Sequence, residues 1–473
     1  MDELDIDPSA MRAMAHAVVE RLIDHLATLD TQPARGDLTN SEALSAALRE
    51  PPPETGSELE ALLAPLFDDW VHRSFNAPGP GYLAYIPGGG IFPAGLGELI
   101  AAGLNRYTGV WNAAPAFLQL EANVLDWFRT WLEYPPSARG LLTSGGSLAT
   151  FSAIVTAREA LLGTRLREGV LYASTEAHHS VTKVARLAGI LDDRVRVLAT
   201  DAAMRLDVQA LDQAIAADRK AGLVPFMVVS SGGTTNTGAV DPLEEIADVC
   251  ARESLWHHCD AAYGGFFYMC PELRPLLAGL PRADSITLDP HKGLFLPYGT
   301  GALLVKDGEA LRRAHRGTAG YLPTFPDTQL YNPCEYGPEL SRPFRGLPVW
   351  LPLKLFGAER FRAALREKRE LALRAYAALE HVAGIHRLEP PALSLFPFYL
   401  SWPGASLAEE NEATQTLMER VCARDRVMIT GAPVKERYLG RICVLCFRTH
   451  QDRIDACIED IALESAALTT PKR

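Results

Sequence analysis

Four short clusters in the sequence combine residue types that could hold a phosphate, pair with a ring or form a covalent bond. The first is the run from Thr143 to Ser147 (TSGGS), which is followed at once by apolar residues at helical spacing. Glycines at a helix start leave backbone N–H groups unpaired at the positive end of the helix dipole, and this arrangement suits a phosphate. A helix start without a ligand explains this cluster alone equally well.

The second and third clusters each place an ionisable side chain at the end of an apolar run. Asp260 and Ala262 are two residues apart on a predicted strand, so their side chains share one face. The carboxylate could pair with a protonated ring nitrogen while the methyl group packs on the ring. Lys292 stands between two apolar runs, where an ammonium is costly unless it is paired, shifted in pKa or covalently used. A lysine of lowered pKa is the nucleophile that Schiff-base chemistry needs, although a solvated aspartate and an exposed loop lysine are the ordinary alternatives.

The fourth cluster, Ala177-His178-His179-Ser180, follows a predicted strand. An imidazole there could stack on a cofactor ring or act as an acid or base. Paired histidines are often incidental, and no carboxylate or third histidine stands at a familiar metal-ligand spacing. We therefore expect no metal site.

Motifs typical of other enzyme classes are incomplete. The run 233–238 (GTTNTG) spaces two glycines like a P-loop, but Ala239 stands where that motif needs its lysine. The run 88–95 (GGGIFPAG) has Pro93 in place of the third glycine of the dinucleotide fingerprint. Ser147 lacks the G-x-S-x-G context of a nucleophile elbow. A nucleotide-binding protein that uses the phosphate loop stays a remote alternative.

The overall composition excludes several classes of protein. The 473 residues carry 46 Lys and Arg against 58 Asp and Glu, a net charge of −12, with no long basic run. Binding to a nucleic-acid backbone needs clustered positive charge, so we expect no nucleic-acid partner. The start MDELDIDPSA lacks the features of a signal peptide, and no apolar stretch is long enough to span a membrane. Eight scattered cysteines do not form a disulfide framework, and we expect a cytoplasmic protein without a membrane partner.

The elements that must position the four clusters divide the chain into three parts. Residues 1–80 show helical spacing without a core of their own, so we expect this helical segment to pack on a surface of the same subunit or of another one. Residues 81–350 alternate β-rich and helical runs, which predicts parallel βαβ units in one large α/β domain. The predicted strands are 170–175, 194–200, 224–231, 254–262, 284–289 and 301–306. Residues 351–473 predict a small α+β domain. Open α/β sheets bind ligands at the carboxyl ends of their strands, where the clusters fall.

Taken together and in chain order, the clusters form the parts of a pyridoxal 5′-phosphate site. The sequence resembles the group II pyridoxal-phosphate-dependent amino-acid decarboxylases, most closely the aromatic-L-amino-acid decarboxylase branch, within the fold type I (aspartate aminotransferase-like) superfamily. The resemblance covers nearly the whole chain. It is carried by YLAYIPGG (82–89), SGGSLATFSAIVTAR (144–158), YASTEAHHSV (172–181), GGTTNTGAVDPL (232–243), HHCDAAYGG (257–265), ADSITLDPHKGL (283–294) and LSRPFRGLPVW (340–350).

The resemblance implies a role for each residue of the clusters. Lys292 matches the lysine that forms the Schiff base, Asp260 the acid that pairs with the pyridine nitrogen, and His178 the histidine stacked on the ring. The remaining cofactor contacts that it implies are Gly145, Gly146 and Ser147 at the phosphate, with Thr235, Ala262, Asp289 and His291. Asp289 stands where the animal enzymes carry an asparagine close to the phosphate, and an ionised aspartate can only accept hydrogen bonds.

Substrate contacts and a proton donor are also implied. Tyr85 and Ile86 match a segment that lines the substrate pocket, and Trp111 adds aromatic surface nearby. The family's loop tyrosine, which protonates the substrate carbon, corresponds to Tyr336 or Tyr331, and we favour Tyr336.

The expected reaction is decarboxylation of an L-amino acid, aromatic by preference, to the amine and CO₂. The resemblance also implies a homodimer with shared active sites, in which residues 1–80 form a helical dimerisation segment. Decarboxylation of an acidic amino acid, through Arg106 or an arginine of a partner subunit, is an alternative. So is an aldehyde synthase, which decarboxylates and then oxidatively deaminates its substrate.

Overall fold

The computed structural model describes residues 4–317 and 330–469. Its first part is helical, with α1 (Pro8–Ala27), α2 (Ser41–Ala47) and α3 (Leu59–Asp68). Helix α1 begins where the Asp7 carboxylate accepts the backbone N–H groups of Ser9 and Ala10, which satisfies donors that a helix start leaves unpaired. Every residue of α1 remains at least partly exposed, including Met11, Met14, Val18, Leu22 and Ile23.

A seven-stranded sheet forms the centre of the large domain. Its strands are β1 (Arg139–Thr143), β2 (Gly169–Ser174), β3 (Val195–Leu198), β4 (Val224–Ser231), β5 (Trp256–Asp260), β6 (Ser285–Leu288) and β7 (Gly301–Val305). Their order is β1-β7-β6-β5-β4-β2-β3. The six predicted strands are present, and β1 is an additional one.

The sheet is mostly parallel, as expected, and strand β7 is its exception, because it runs antiparallel to both β6 and β1. The other neighbouring strand pairs are parallel. A parallel connection needs a crossover, usually through a helix. The chain between β6 and β7 contains only the four-residue helix α10 (Pro290–Gly293), so β7 returns beside β6 in the opposite direction.

The other helices of this domain flank the sheet. They are α4 (Phe92–Leu104), α5 (Pro115–Trp131), α6 (Gly146–Leu161), α7 (Ser180–Leu187), α8 (Val208–Lys220), α9 (Leu243–Glu253) and α11 (Gly308–His315). Helix α6 packs on the centre of the sheet, and its residues from Ala149 to Ala157 are buried with the exception of Phe151. This packing fixes the start of α6 beside the carboxyl ends of the strands.

A smaller α+β part completes the molecule. Helix α12 (Gly346–Leu379) leads into it, breaks at Gly357 and runs across the predicted domain boundary at residue 350. Strands β8 (Ile385–Arg387), β9 (Leu395–Leu400), β10 (Thr430–Val434) and β11 (Arg437–Cys443) form an antiparallel sheet in the order β10-β11-β9-β8. Helix α13 (Leu407–Ala423) packs on this sheet, and helix α14 (Gln451–Thr469) packs against α12 and α13.

The described residues contain no helix that is both long enough and apolar enough to cross a bilayer. All eight cysteines are free, and seven of them are buried. Among the described residues, no three His, Cys, Asp or Glu side chains are grouped as metal ligands.

Candidate active site

One cavity of about 300 Å³ lies where β1, β2, β4, β5 and β6 end. It collects all ten residues that the sequence predicts as cofactor contacts. Its lining is Ser144, Gly145, Gly146, Ser147, Leu148, His178, Ser180, Ser231, Gly233, Thr234, Thr235, Asp260, Ala262, Tyr263, Asp289, His291 and Lys292. Four separate sequence clusters therefore meet at one edge of the sheet, because parallel strands bring their carboxyl ends together.

The turn from Gly145 to Ser147 connects β1 to α6. Gly145 is the N-terminal cap of α6, and among the described side chains none caps this helix start. Its first backbone N–H groups are therefore available to a ligand, and the helix dipole favours an anion there. The Thr143 hydroxyl donates a hydrogen bond to the Gly145 carbonyl at 3.0 Å and steadies the turn.

Gly301, at the start of β7, is a supporting residue that the sequence did not single out. A Cβ atom at this position would lie 2.5 Å from the carbonyl carbon of Gly145 and 2.6 Å from its Cα. Only glycine leaves room for the turn. The contact joins residues far apart in the chain, so no local pattern reveals it.

Lys292 enters the cavity from α10, and its Nζ lies 2.8 Å from Oδ2 of Asp289. Burial by itself would lower the pKa of Lys292, but the carboxylates of Asp289 and Asp260 outweigh it, and the pKa is raised. Lys292 is therefore a paired ammonium, which is one of the states in which a buried lysine is tolerated. Its close counter-ion is Asp289 in the same turn of chain.

Asp260 ends β5, and the backbone N–H of Ala262 donates to its Oδ1 at 3.2 Å. Burial raises the pKa of Asp260, although the charge of Lys292 opposes this shift. A carboxyl group of this kind is stabilised in its charged form by a cation placed against it. A protonated ring nitrogen is such a cation, and Ala262 lines the same cavity.

His178 is held by the start of α7. Its Nδ1 lies 2.7 Å from the Ser180 hydroxyl and accepts the Ser180 backbone N–H at 3.3 Å. Nδ1 is therefore the acceptor, and the proton of the neutral ring is on Nε2. Burial, with the nearby His179 and Lys292, lowers the pKa of His178 to about 4. The ring is thus neutral at physiological pH, which suits stacking on an aromatic cofactor.

Thr235 lies on a closed loop beyond β4. The Gly232 N–H donates to the carbonyl of Asp260 at 2.8 Å, and the Thr234 N–H donates to that of Ala239 at 2.8 Å. These bonds hold the loop against the end of β5 and place Thr235 in the cavity wall.

The two loop tyrosines are not brought to this cavity. Tyr336 is buried in the core beside Leu141 and Leu303, and its pKa, raised by burial, responds to the charge of Arg139. Arg139 begins β1, whereas the phosphate turn follows the other end of that strand. The predicted role of Tyr336 as proton donor is therefore wrong for this chain's own cavity, because its phenol is buried near the opposite end of β1.

Tyr331 is enclosed beside it. Its ring stacks with that of Tyr336 at 5.7 Å between centroids, and its hydroxyl donates to Glu121 Oε1 at 3.3 Å. The same Glu121 oxygen pairs with Arg342 at 2.7 Å. These contacts give Tyr331 a structural role in anchoring the chain before α12.

The three predicted substrate contacts also lie outside the cavity lining. Ile86 is buried in the main core, so its predicted contact with substrate is wrong for this chain's own cavity. Tyr85 is 53% exposed, and its backbone is fixed by Arg441, which donates to the Tyr85 carbonyl at 2.8 Å. The backbone N–H of Trp111 donates to Asn332 Oδ1 at 2.8 Å.

Comparison with known proteins agrees with this geometry. Residues 57–389 match the model of the pyridoxal-dependent decarboxylase conserved domain. The chain belongs to the pyridoxal-dependent decarboxylase family. It is an enzyme of the lyase class, and its cofactor is pyridoxal 5′-phosphate.

Relatives of this family match over almost the full length. The aromatic-L-amino-acid decarboxylase of Bacillus atrophaeus is 32% identical, with 98% of each chain covered. The phenylacetaldehyde synthase of Petunia hybrida is 29% identical over 95% of this chain and 93% of the relative. Among solved structures, Oryza sativa TDC with PLP and tryptamine matches with a TM-score of 0.93 at 26% identity, covering 99% of this chain and 100% of the other.

The residues present fit this cofactor. An uncapped helix start faces the cavity, a buried carboxyl group ends β5, and an amine enters from α10. These three groups match a phosphate, a pyridinium nitrogen and an aldehyde respectively, which are the functional groups of pyridoxal 5′-phosphate.

Proposed function

We propose that the protein decarboxylates an aromatic L-amino acid to the corresponding amine and CO₂. The observation that carries this proposal is the meeting of Lys292, Asp260, His178 and the Gly145–Ser147 turn in one cavity. Any one of these groups has an ordinary structural explanation, but together they offer a complete set of partners for the cofactor.

Each residue in the set would have a distinct task. The amine of Lys292 would hold the cofactor covalently and release it to the substrate amine. Ser147 and the N–H groups of the turn would hold the phosphate, with Gly145 and Gly146 leaving it room. Thr235 and His291 would complete the wall of the site.

The bound cofactor supplies an electron sink, which accepts the electron pair left at the substrate α-carbon when CO₂ departs. Asp260 would keep that sink effective, because its carboxylate favours a proton on a ring nitrogen placed against it. His178 presents a neutral ring for stacking, with its orientation fixed by Ser180. The small side chain of Ala262, in the same cavity, would leave room for the cofactor ring.

The aromatic substrate is supported by the relatives and by an exposed aromatic side chain that a partner's cavity could receive. The Bacillus relative carries the name of an aromatic-L-amino-acid decarboxylase. Tyr85 stacks with Tyr82 at 6.4 Å between ring centroids and offers an exposed aromatic edge. Arg106 is exposed and outside the cavity lining, so nothing in this chain's own site favours an acidic substrate through that residue.

We also propose that the enzyme is a homodimer whose subunits share their active sites. The exposed apolar residues of α1 and Leu99, Ile100 and Leu104 of α4 give the single chain surfaces that a second copy would cover. The exposed Tyr85 would then serve the cavity of the partner. Sedimentation of the cofactor-loaded protein should give twice the chain mass, and an active monomer would contradict this assembly.

Absorption spectroscopy and CO₂ release test whether Lys292 binds the cofactor as proposed. Purified protein with pyridoxal 5′-phosphate should show the visible absorption of a lysine-bound cofactor and release CO₂ from an aromatic amino acid. Both signals should be absent in Lys292→Ala. A wild-type protein that gives neither signal would refute the proposal.

An aldehyde synthase is the second candidate, because the Petunia relative carries that name. The two reactions differ in their products. A decarboxylase releases amine and CO₂ in equal amounts, whereas the synthase consumes O₂ and releases an aldehyde, CO₂, ammonia and hydrogen peroxide in place of the amine. Assay of peroxide beside amine decides between them.

A further inference from the structure

Tyr85 has a backbone conformation that a bulky residue rarely adopts. Its φ angle is +50°, in the left-handed region where the side chain of an ordinary residue is strained. A residue persists in such a conformation only when the surrounding structure enforces it, and positions of this kind cluster at functional sites. Other groups of the chain must therefore hold the Tyr85 peptide in place.

The small domain binds the segment that leads to Tyr85. The backbone N–H of Leu83 donates to the Met428 carbonyl at 2.9 Å, and the backbone N–H of Cys443 donates to the Leu83 carbonyl at 3.0 Å. These backbone bonds attach the segment to the small antiparallel sheet and bring Tyr85 beside its strands β10 and β11.

Thr430 of β10 and Arg441 of β11 are opposite each other in the strand register, and together they hold the Tyr85 backbone. Nη2 of Arg441 donates to the Tyr85 carbonyl at 2.8 Å, and Nη1 donates to the Thr430 hydroxyl at 2.9 Å. That hydroxyl oxygen also accepts the Tyr85 backbone N–H at 3.4 Å. Two side chains of the small domain therefore bind both polar groups of the Tyr85 backbone.

Arg441 is a buried cation whose hydrogen bonds end at Tyr85 and at the residue that holds it. It is only 3% exposed, and burial lowers the pKa of its guanidinium group. The ionisable groups that act on it most are thiols and phenols rather than carboxylates, namely those of Cys443, Tyr263, Tyr85 and Tyr82. Among the described residues its Nε has no hydrogen-bond partner. A buried charge is costly without compensating bonds, and the bonds that Arg441 does make fix the position of Tyr85.

The fixed backbone presents the Tyr85 ring at the surface. The ring stacks with that of the buried Tyr82 at 6.4 Å between centroids, yet the residue is 53% exposed and lies outside the lining of this chain's own cavity. An exposed aromatic ring that is held rigidly suits contact with another aromatic ring. In the proposed homodimer this ring serves the cavity of the second subunit.

We propose that Arg441, together with Thr430, is a positioning residue for substrate binding: it fixes the left-handed backbone of Tyr85 and so holds the Tyr85 ring against the aromatic side chain of a substrate bound in the second subunit. The inference rests on the proposed homodimer with shared active sites. It makes part of the affinity for aromatic substrates depend on a residue that does not touch the substrate.

Steady-state kinetics of the cofactor-loaded enzyme test the coupling of Arg441 to Tyr85. The substrate is whichever of L-phenylalanine, L-tyrosine and L-tryptophan gives the highest kcat/KM. Tyr85→Ala should raise KM about fivefold and leave kcat within about twofold, as expected for the loss of an aromatic binding contact. Arg441→Met removes the donors at similar side-chain length and should raise KM by a similar factor. In the Tyr85→Ala background it should have no further effect, whereas independent effects would multiply.

Two more variants complete this set. Arg437→Met makes the same substitution on the same strand, at an arginine that pairs with Glu410 instead, and should leave KM unchanged; an equal rise in KM there would overturn the inference. Thr430→Val keeps the side-chain shape and removes the hydroxyl that Arg441 and Tyr85 share. It should raise KM about twofold, again only when Tyr85 is present, and it tests the inference if Arg441→Met does not fold.

Mixed dimers test which cavity Arg441 serves. A dimer of one Lys292→Ala subunit and one Arg441→Met subunit has its single competent lysine in the cavity that receives an unaltered Tyr85, so KM should equal that of the wild type. A dimer in which one subunit carries both substitutions and the other carries neither should show the raised KM. The opposite pattern would overturn the inference.

The outcomes separate this inference from the proposed reaction. A rise in KM with Tyr85→Ala that multiplies with the rise in Arg441→Met would overturn the role of Arg441 alone. An unchanged KM in Tyr85→Ala would overturn both this inference and the sharing of the site through Tyr85, while CO₂ release would still support decarboxylation. Absence of CO₂ release by the wild type would overturn the proposed function itself.

Discussion

Gly301→Ala is the substitution for which the structure gives the clearest expected magnitude. The new methyl group would lie 2.5 Å from the Gly145 carbonyl carbon, about 0.9 Å short of the 3.4 Å at which ordinary contact begins. Both neighbours are backbone, so the turn must move by about that distance. A hydrogen bond of about 2.9 Å stretched by this amount is lost.

The turn provides N–H donors to a charged phosphate, and each such bond contributes about 1.5–3 kcal/mol. Loss of one or two of them corresponds to about 3 kcal/mol, or roughly a hundredfold weaker binding of pyridoxal 5′-phosphate. The assay is titration of cofactor-free protein, followed by the visible absorption of the bound cofactor. Pyridoxal without the phosphate should bind to the variant and to the wild type alike.

Gly95→Ala in α4 is the matched control, because a Cβ atom there would meet nothing within 4 Å. It should leave cofactor affinity unchanged. Circular dichroism of both variants shows whether the fold is retained. A folded Gly301→Ala protein with wild-type affinity for pyridoxal 5′-phosphate would refute the assignment of the phosphate to this turn.

Three further predictions concern carboxyl groups and the buried phenol. Asp260→Asn should lower CO₂ release at saturating cofactor by about a hundredfold, since loss of a close carboxylate shifts the ring-nitrogen pKa by roughly 1–3 units; near-normal turnover would contradict its role. Tyr336→Phe should keep activity within about twofold, because the phenol is buried away from the cavity, and a large loss of turnover would restore it as a candidate donor. Burial raises the pKa of Asp241 to about 6, above its unfolded value, so the folded state binds the extra proton. The free energy of unfolding should therefore fall by up to about 3 kcal/mol between pH 4 and 6, and urea denaturation of Asp241→Asn should lack this component.

The sequence predicts which residues could carry the chemistry of the site better than it predicts the contacts that position them. Lys292, Asp260 and His178 each follow an apolar run, so their positions at strand ends follow from local pattern and from the geometry of parallel sheets. The sequence does not predict the role of Gly301, because its contact with Gly145 joins the start of β7 to the turn after β1, which is far away in the chain. The sequence does not predict the raised pKa of Lys292 either, since the direction of this pKa shift depends on how close Asp289 lies in three dimensions.

In the fold, too, local sequence patterns predict some features, whereas others depend on long-range packing. Strands β2 to β7 are visible as β-rich runs, but pattern alone does not give the direction of a strand, and β7 runs against its neighbours. Strand β1, with only five residues, is too short to show a distinct alternation of apolar and polar residues. The prediction of Tyr336 as proton donor rests on its residue type and its neighbourhood in sequence, whereas its burial in one cluster with Leu141 and Leu303 is set by long-range packing.

The central claim is tested most directly by measuring CO₂ and amine together across the twenty amino acids, DOPA and 5-hydroxytryptophan, with pyridoxal 5′-phosphate present. We expect equal amounts of CO₂ and amine from one or more aromatic substrates, no hydrogen peroxide, and no release by Lys292→Ala. Absence of CO₂ from every substrate, or release from glutamate and aspartate alone, would contradict it.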